Sequence, residues 1–470
     1  MTKRTKKQIK KQTIKDFWCF YPFDGLTVDP TGKAQPCPCW STHPGHTIAD
    51  MKTSTQTAPQ LFDSKHLASI REKMSKGERN ESCEICYKKE EGGRRSQRQR
   101  KIYRYFINTP HPIKHEQLTD EFCKKYEPRL KAIELNFSNT CNLACAMCNR
   151  THSSGWMQQE KLMPQTLKDR ISPIYGKPWG TPHEPFQSYI LNQRFIDSIV
   201  DNIQTYESIM IKGGEPLYDK RCIAFLDRIS KLNPDVKLII VTNATTISLK
   251  MRSILSKFSN LELNLSIDGT GPIYEWIRGF SWERVNANIM QLMKMPSIKM
   301  LDINVTVSLY NIMHLNDIVS YFSRFESKAT KYLMSFNVVM EPWMNAYMTL
   351  PTFKKKWATS VYAEVGKWFV PENYLDGYQE LVHFDSFSNH EIPVSDYNQE
   401  NTLGINKPDF DNIKDSLYEG DTHVHHKSEP SQSMIKLACD YINWLNGIRK
   451  KKLQDYAPHI KLMMKQNGYK

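Results

Sequence analysis

The sequence predicts an α/β protein in which a parallel sheet wraps towards an open (β/α)6 barrel, with a small cysteine-bearing module before it and a helical extension after it. Three observations predict this. Six apolar segments of strand length alternate with amphipathic helical stretches. Three cysteines, Cys141, Cys145 and Cys148, crowd onto the loop after the first of those strands. Gly213-Gly214-Glu215 stands just after the second, at the carboxyl end where such sheets collect their ligands.

The 470 residues leave room for two or three domains and a large core. Hydrophobic residues at 40% and charged residues at 24% describe an ordinary globular chain, and no apolar run is long enough for a membrane span. The opening MTKRTKKQIKKQTIK lacks the apolar stretch of a signal peptide and reads as a solvated basic arm, so a cytoplasmic location is expected. Lysine and arginine exceed aspartate and glutamate by 14, with much of the excess in Lys3 to Lys15 and Arg94 to Arg104. That balance suits a polyanionic partner such as nucleic acid, although neither run carries the interleaved aromatics of a stacking platform. Eleven cysteines, an odd count, argue for reduced thiols that bind metal rather than for a disulfide framework. Cys123, Cys222 and Cys439 lie outside the local groups and read as free thiols.

In chain order, residues 1–16 form the basic tail and 17–93 the first module. Leu26 and Val28 followed by Asp29-Pro30-Thr31-Gly32 predict a β-hairpin that brings Cys19 towards Cys37. A helix is predicted from Ser64 to Lys76, then the Cys83-Glu-Ile-Cys86 knuckle. Cys19, Cys37, Cys83 and Cys86 make four thiolates, enough to close a metal site, and Cys39 is a fifth candidate beside Cys37. A zinc ribbon satisfies the same pattern. Residues 94–130 read as a polar linker.

Residues 131–345 carry the predicted barrel. Its strands are expected at Ala132–Ser138, Ser208–Lys212, Val236–Thr242, Leu261–Ile267, Met300–Ser308 and Leu333–Met340, with a helix over Asn192–Gln204 and a partly irregular insertion from His152 to Gln187. The spacing C-x3-C-x2-C over Cys141 to Cys148 supplies three thiolates where a closed iron–sulfur or zinc site wants four. The fourth position stays available to an outside ligand. Gly213 and Gly214 let the backbone approach a ligand closely, and the Glu215 carboxylate can accept from an ammonium group. Thr242-Asn243-Ala244 and Ser266-Ile-Asp268-Gly269 end the third and fourth strands with short polar groups that either reach a ligand or cap the next helix. Val305 and Val307 read as core that could also wall an adenine, and the Ile277-Arg278-Gly279 turn offers a cation that reads as a surface arginine.

The cysteine loop after a first strand, followed by Gly-Gly-Glu after a second, resembles the signature of the radical S-adenosylmethionine (SAM) superfamily. The resemblance implies a [4Fe–4S] cluster on Cys141, Cys145 and Cys148 and SAM on its open iron. It also implies electron transfer that cleaves SAM to methionine and a 5′-deoxyadenosyl radical, with an electron donor such as a reductase, flavodoxin or ferredoxin. It assigns Gly213, Gly214 and Glu215 to the methionine amino group, and Asn243, Ser266 and Asp268 to the sugar and carboxylate. Met147 stands where relatives carry an aromatic residue and is expected to cover the adenine. The hairpin and knuckle of residues 17–93 resemble a twitch module, the half-size SPASM domain that holds an auxiliary [4Fe–4S] cluster. The module stands N-terminal here, and its G-x4-C spacing favours Cys37 over Cys39. The run Cys148-Asn-Arg-Thr-His-Ser153-Ser154-Gly-Trp156 resembles one group of twitch-bearing members. A peptide or protein substrate is the first expectation, a nucleic acid the second, and a non-catalytic zinc or iron–sulfur interaction protein the reading of another class.

The extension, 346–470, is expected to be loop-rich from Pro371 to Asp421 and helical in two pieces from Gln432 to Asn467. His423, His425 and His426 read as exposed, and Trp343, Tyr347 and Trp357 as core or as a cover over the barrel mouth.

Overall fold

A computed structural model describes residues 13–39, 47–91, 96–99, 101–102, 118–171, 191–325, 331–339, 342–344 and 432–469. His423, His425, His426, Tyr347 and Trp357 lie outside them. Contacts divide the chain into two compact units, the first made of residues 1–29, 33–134 and 192–201, the second of 30–32, 135–191 and 202–470.

In the first unit, β1 (Gly25–Val28), β2 (Lys33–Gln35) and β3 (Ala49–Asp50) pair antiparallel, with Val28 opposite Ala34 and Ala34 opposite Ala49. The turn between β1 and β2 places Gly32 at φ +86°, in the left-handed region where a side chain would be strained. Asp29 closes the turn, its carboxylate accepting from the Lys33 N–H at 3.0 Å and the Gln35 amide at 2.9 Å. The predicted helix forms over Lys65–Ser75, started by Ser64, whose hydroxyl accepts from the Leu67 N–H. Glu84–Glu91 forms a second helix that carries Cys86. Trp18, Phe20, Phe23, Phe62, Leu67, Ile70 and Met74 bury around these elements, with Cys19 among them. The helix expected at Asn192–Gln204 runs Gln193–Asp201.

The second unit is built on a parallel sheet. β4 (Ala132–Asn136), whose Leu135 and Asn136 belong to this unit, is followed in linear order by β5 (Ser208–Lys212), β6 (Lys237–Thr242), β7 (Leu261–Ser266), β8 (Ile298–Val307) and β9 (Lys331–Val338). Neighbours from β5 to β9 are parallel, with Ile211 beside Ile240, Leu265 beside Ile303 and Val307 beside Val338. The order never returns to its start, so the sheet is open. Side chains along β6 and β7 alternate between fully and partly buried, the pattern of strands with one face in the core and one under helices. Helices Lys220–Leu232, Leu249–Leu255, Gly271–Arg278, Trp282–Leu292 and Leu315–Phe322 connect the strands. Asp219, Ser248 and Ser281 cap three of them through N–H groups two or three residues on.

One region differs from expectation. The insertion after the cysteine loop, read as partly irregular, contains helices Ser154–Lys161 and Gln165–Ile171. The C-terminal helices Gln432–Arg449 and Pro458–Gln466 pack into a core with Ala146, Trp156, Trp276, Ile277, Tyr310 and Trp343. Trp343 is therefore core, fully buried.

Candidate functional site

The cysteine loop leaves β4 at its carboxyl end and is clamped on several sides by hydrogen bonds to its backbone. The Cys141 N–H donates to Ser154 Oγ at 3.0 Å, and that hydroxyl reaches back to the Cys141 carbonyl at 3.2 Å. Three successive carbonyls beyond it are taken by side chains from two helices: Ala144 O by Arg449 Nη2, Cys145 O by Trp156 Nε1 at 2.8 Å, and Ala146 O by Tyr441 Oη at 2.9 Å. The Ala146 N–H donates to Ile277 O at 2.7 Å. A buried loop must satisfy each such group, and here every partner is a fixed one.

The three sulfurs share one neighbourhood. Burial, then Cys145 and Cys141 beside it, pushes the Cys148 thiol well above its ordinary value, and burial pushes Cys141 up to about 12. Crowded thiols resist ionisation until a positive centre arrives among them, which is the electrostatic requirement of a metal site. Among the described residues, no three His, Cys, Asp or Glu side chains converge as ligands of a single ion do.

The glycine pair sits against this loop. Gly213 has φ +90° and Gly214 φ +52°, and a Cβ on Gly214 would lie 2.2 Å from Thr140 O. The Glu215 N–H donates to the same carbonyl at 2.8 Å. The glycines are thus required by close approach to the chain's own Asn136–Thr140 segment, whereas the sequence suggested approach to a ligand. Glu215, 1% exposed, accepts from Thr242 Oγ1 at 2.6 Å, the Leu217 N–H at 3.0 Å and the Asn243 N–H at 2.6 Å. Burial pushes its carboxyl up to about 6 against those hydrogen bonds. Asn243 donates from Nδ2 to Asn142 Oδ1 at 3.1 Å, while Thr245 donates to Asn243 Oδ1 from its N–H at 2.9 Å and its hydroxyl at 2.6 Å. Asn142 in turn donates to Thr245 Oγ1 at 2.8 Å, which ties the cysteine loop to the end of β6.

Arg278 corrects the sequence reading most sharply. Expected at the surface, it is buried, with Nη1 3.6 Å from Cys145 Sγ and Nε 2.6 Å from Asp268 Oδ2. Asp268, fully buried, also accepts from the Thr306 N–H at 2.7 Å, so its carboxylate holds Arg278 and the end of β8. Val305 and Val307 are fully buried core, Ser266 ends β7 half-buried in register with Asn304, and Met147 is half-buried against the core that holds Trp156. Arg449, Tyr441, Trp156, Asn142 and Thr245 went unnoticed as loop partners, since nothing local in the sequence marks a residue whose partner is set by chain packing.

In the first unit, Cys19, Cys37, Cys39, Cys83 and Cys86 line one cavity together with Met74, Ile85 and Arg98. Burial first, then Cys39, Cys83, Cys19 and Cys86, pushes the Cys37 thiol well above its ordinary value. Arg98 is buried beside them, donating to Trp18 O at 2.9 Å and paired with Glu90. The hairpin and the knuckle therefore meet as the spacing predicted, and Cys37 and Cys39 both reach the cavity.

No curated protein matches the sequence. Among solved structures, the chain is similar to anSMEcpe with bound AdoMet at 18% identity and TM-score 0.35, over 50% of this chain and 60% of that one. It is similar to Streptococcus suis SuiB bound to S-adenosylmethionine at 15% identity and TM-score 0.31, over 51% and 45%. It is also similar to SuiB bound to the precursor peptide SuiA at 14% identity and TM-score 0.30, over 62% of each chain. The chain thus spans less than two thirds of the length of these structures. Residues 135–316 match the family model described as Radical SAM superfamily, a span that takes in the cysteine triplet, Gly213-Gly214-Glu215, Asn243, Ser266 and Asp268. The chain accordingly carries, over residues 135–316, a radical SAM superfamily domain, the domain of S-adenosylmethionine-dependent iron–sulfur enzymes.

Proposed function

We propose that the chain is a radical SAM enzyme whose open sheet is a partial (β/α)6 barrel, with Cys141, Cys145 and Cys148 as the three protein ligands of a catalytic [4Fe–4S] cluster. The observation that carries this reading is a fixed loop that gathers three buried or half-buried thiols inside the matched domain. When bound, the cluster supplies the electron that cleaves SAM and leaves a 5′-deoxyadenosyl radical to take hydrogen from the substrate. The chain's own residues hold and orient. Glu215 has three donors on about four acceptor positions, which leaves room for one from the methionine ammonium. Asn243 and Ser266 end β6 and β7 where the sugar and carboxylate belong, and Asp268 acts through Arg278. Met147 is the adenine cover.

Cys19, Cys37, Cys83 and Cys86 are the proposed ligands of an auxiliary cluster in a twitch-like module, supported by the shared cavity. A peptide or protein is the proposed substrate, the class of ligand that SuiB holds in its complex with the precursor peptide SuiA. The charge of +14 favours nucleic acid as the second reading, which salt-dependent RNA or DNA binding separates. Anaerobic purification with iron and sulfide analysis tests the whole: about eight irons for two cubanes, and 5′-deoxyadenosine from SAM plus dithionite. The variant Cys141→Ala/Cys145→Ala/Cys148→Ala is expected to lose half the iron and all SAM cleavage. Zinc alone, without cleavage, overturns the reading.

A further inference from the structure

We propose that Arg449, on a helix outside the matched domain, is a fixed counter-charge to the cluster of the cysteine triplet and raises its reduction potential. This rests on the function proposed above and goes beyond it, because the domain match stops at residue 316 and assigns nothing to Gln432–Arg449.

Among the described residues, two guanidiniums reach the cysteine loop, and they differ in their charge balance. Arg278 lies against Cys145 Sγ but is paired with the Asp268 carboxylate at 2.6 Å. Arg449 meets, among the described residues, only neutral acceptors: Ala144 O, Trp276 O at 3.1 Å and Gln159 Oε1 at 3.3 Å. Among the described residues, no carboxylate forms an ion pair with it; nearby Glu275 is paired with Lys451, and Glu160 with Arg150. Those three acceptors set its position, and Gly279 leaves it room, since a Cβ there would lie 2.7 Å from Arg449 Nη1. The carbonyl end of its own helix supplies only a partial negative charge.

A half-buried cation without a carboxylate is costly unless a neighbour carries negative charge. Three thiolates bound to iron are such a neighbour, one residue from the carbonyl that Arg449 holds. Adding an electron makes that neighbour more negative, so a fixed cation favours the reduced form. Tyr441 and Trp156 clamp the adjoining carbonyls without charge, which makes Tyr441→Phe the neutral comparison.

The test is a redox titration of the full chain with reconstituted clusters, following by electron paramagnetic resonance the signal that changes on SAM addition. Arg449→Gln is expected to shift the one-electron equilibrium about tenfold towards the oxidised form, about 59 mV lower, while Arg449→Lys and Tyr441→Phe stay at the wild-type potential. If the glutamine variant holds no iron at the triplet while the lysine variant holds it at the wild-type potential, the need for charge is again supported. An unchanged potential in Arg449→Gln, an equal shift in the glutamine and lysine variants, or loss of iron in both overturns the proposal. A wild-type chain with no SAM-responsive signal would instead overturn the proposed function, and this inference with it.

Discussion

Glu215 is a carboxylate whose partners are all on its own chain: a hydroxyl and two backbone N–H groups. Those donors favour the ionised form, yet complete burial wins and pushes the carboxyl from 4.5 to about 6. A raised acid favours folding while it is neutral, so its contribution is fully present below about 4.5 and is lost as pH rises through about 6. Denaturant unfolding of the iron-free protein from pH 4 to pH 7 is expected to show that loss, worth about 2 kcal/mol from a shift of this size. Glu215→Gln, neutral throughout, is expected to remove that part of the slope whatever its absolute stability. A variant with the wild-type pH dependence would place the titration elsewhere. Arg278 teaches the complementary lesson: a charged residue in an Ile-Arg-Gly turn looks solvated until Asp268, ten residues earlier, is seen paired with it.

At the scale of elements, the cysteine loop is held by helices that flank it and by one that lies far along the chain. Ser154–Lys161 starts directly beyond the loop, and its Ser154 and Trp156 bond Cys141 and Cys145. Gln432–Arg449 contributes Tyr441 and Arg449 and buries Leu437, Ile442 and Leu445 in the same core. Leu445→Ala, at a fully buried position, is expected to cost about 2–5 kcal/mol. Because the same helix carries two of the loop's partners, iron retained at the triplet is expected to fall with it, measured by denaturant titration alongside iron analysis. Retention of full iron despite the lost stability would uncouple the helix from the loop. The sheet itself was legible at this scale: all six strands form within two residues of where the apolar alternation put them, β8 starting at Ile298 rather than Met300 and β9 at Lys331 rather than Leu333, and the described part of the insertion is more helical than its prolines suggested.

At the scale of the molecule, the two units carry separate cysteine sets, and each is built differently. In the first, Cys19 belongs to the apolar core and Cys37 and Cys83 pack against it, which puts raised, crowded thiols inside that core. Removing the proposed auxiliary cluster with a chelator is therefore expected to loosen this unit more than the strands β5 to β8 of the other. Hydrogen exchange should quicken about tenfold, about 1.4 kcal/mol, over Phe17–Val28 and Ser64–Glu91. Equal change in both units, or none in the first, would remove the thiols from the account of its stability.

By itself the sequence determined the periodicities, the helix start at Ser64 and the cysteine spacings, because each depends on residues a few positions apart. It also placed Gly213-Gly214-Glu215 at a strand end, although the reason for the glycines, contact with Thr140, needed the fold. Only the tertiary structure decided that Arg278 and Arg449 converge on one cysteine loop, that Asp268 balances one of them, and that Tyr441 reaches Ala146. Those contacts join residues more than a hundred positions apart, or hang on such a join. A side chain carries its charge and length in the sequence, but its partner is set by how the core closes.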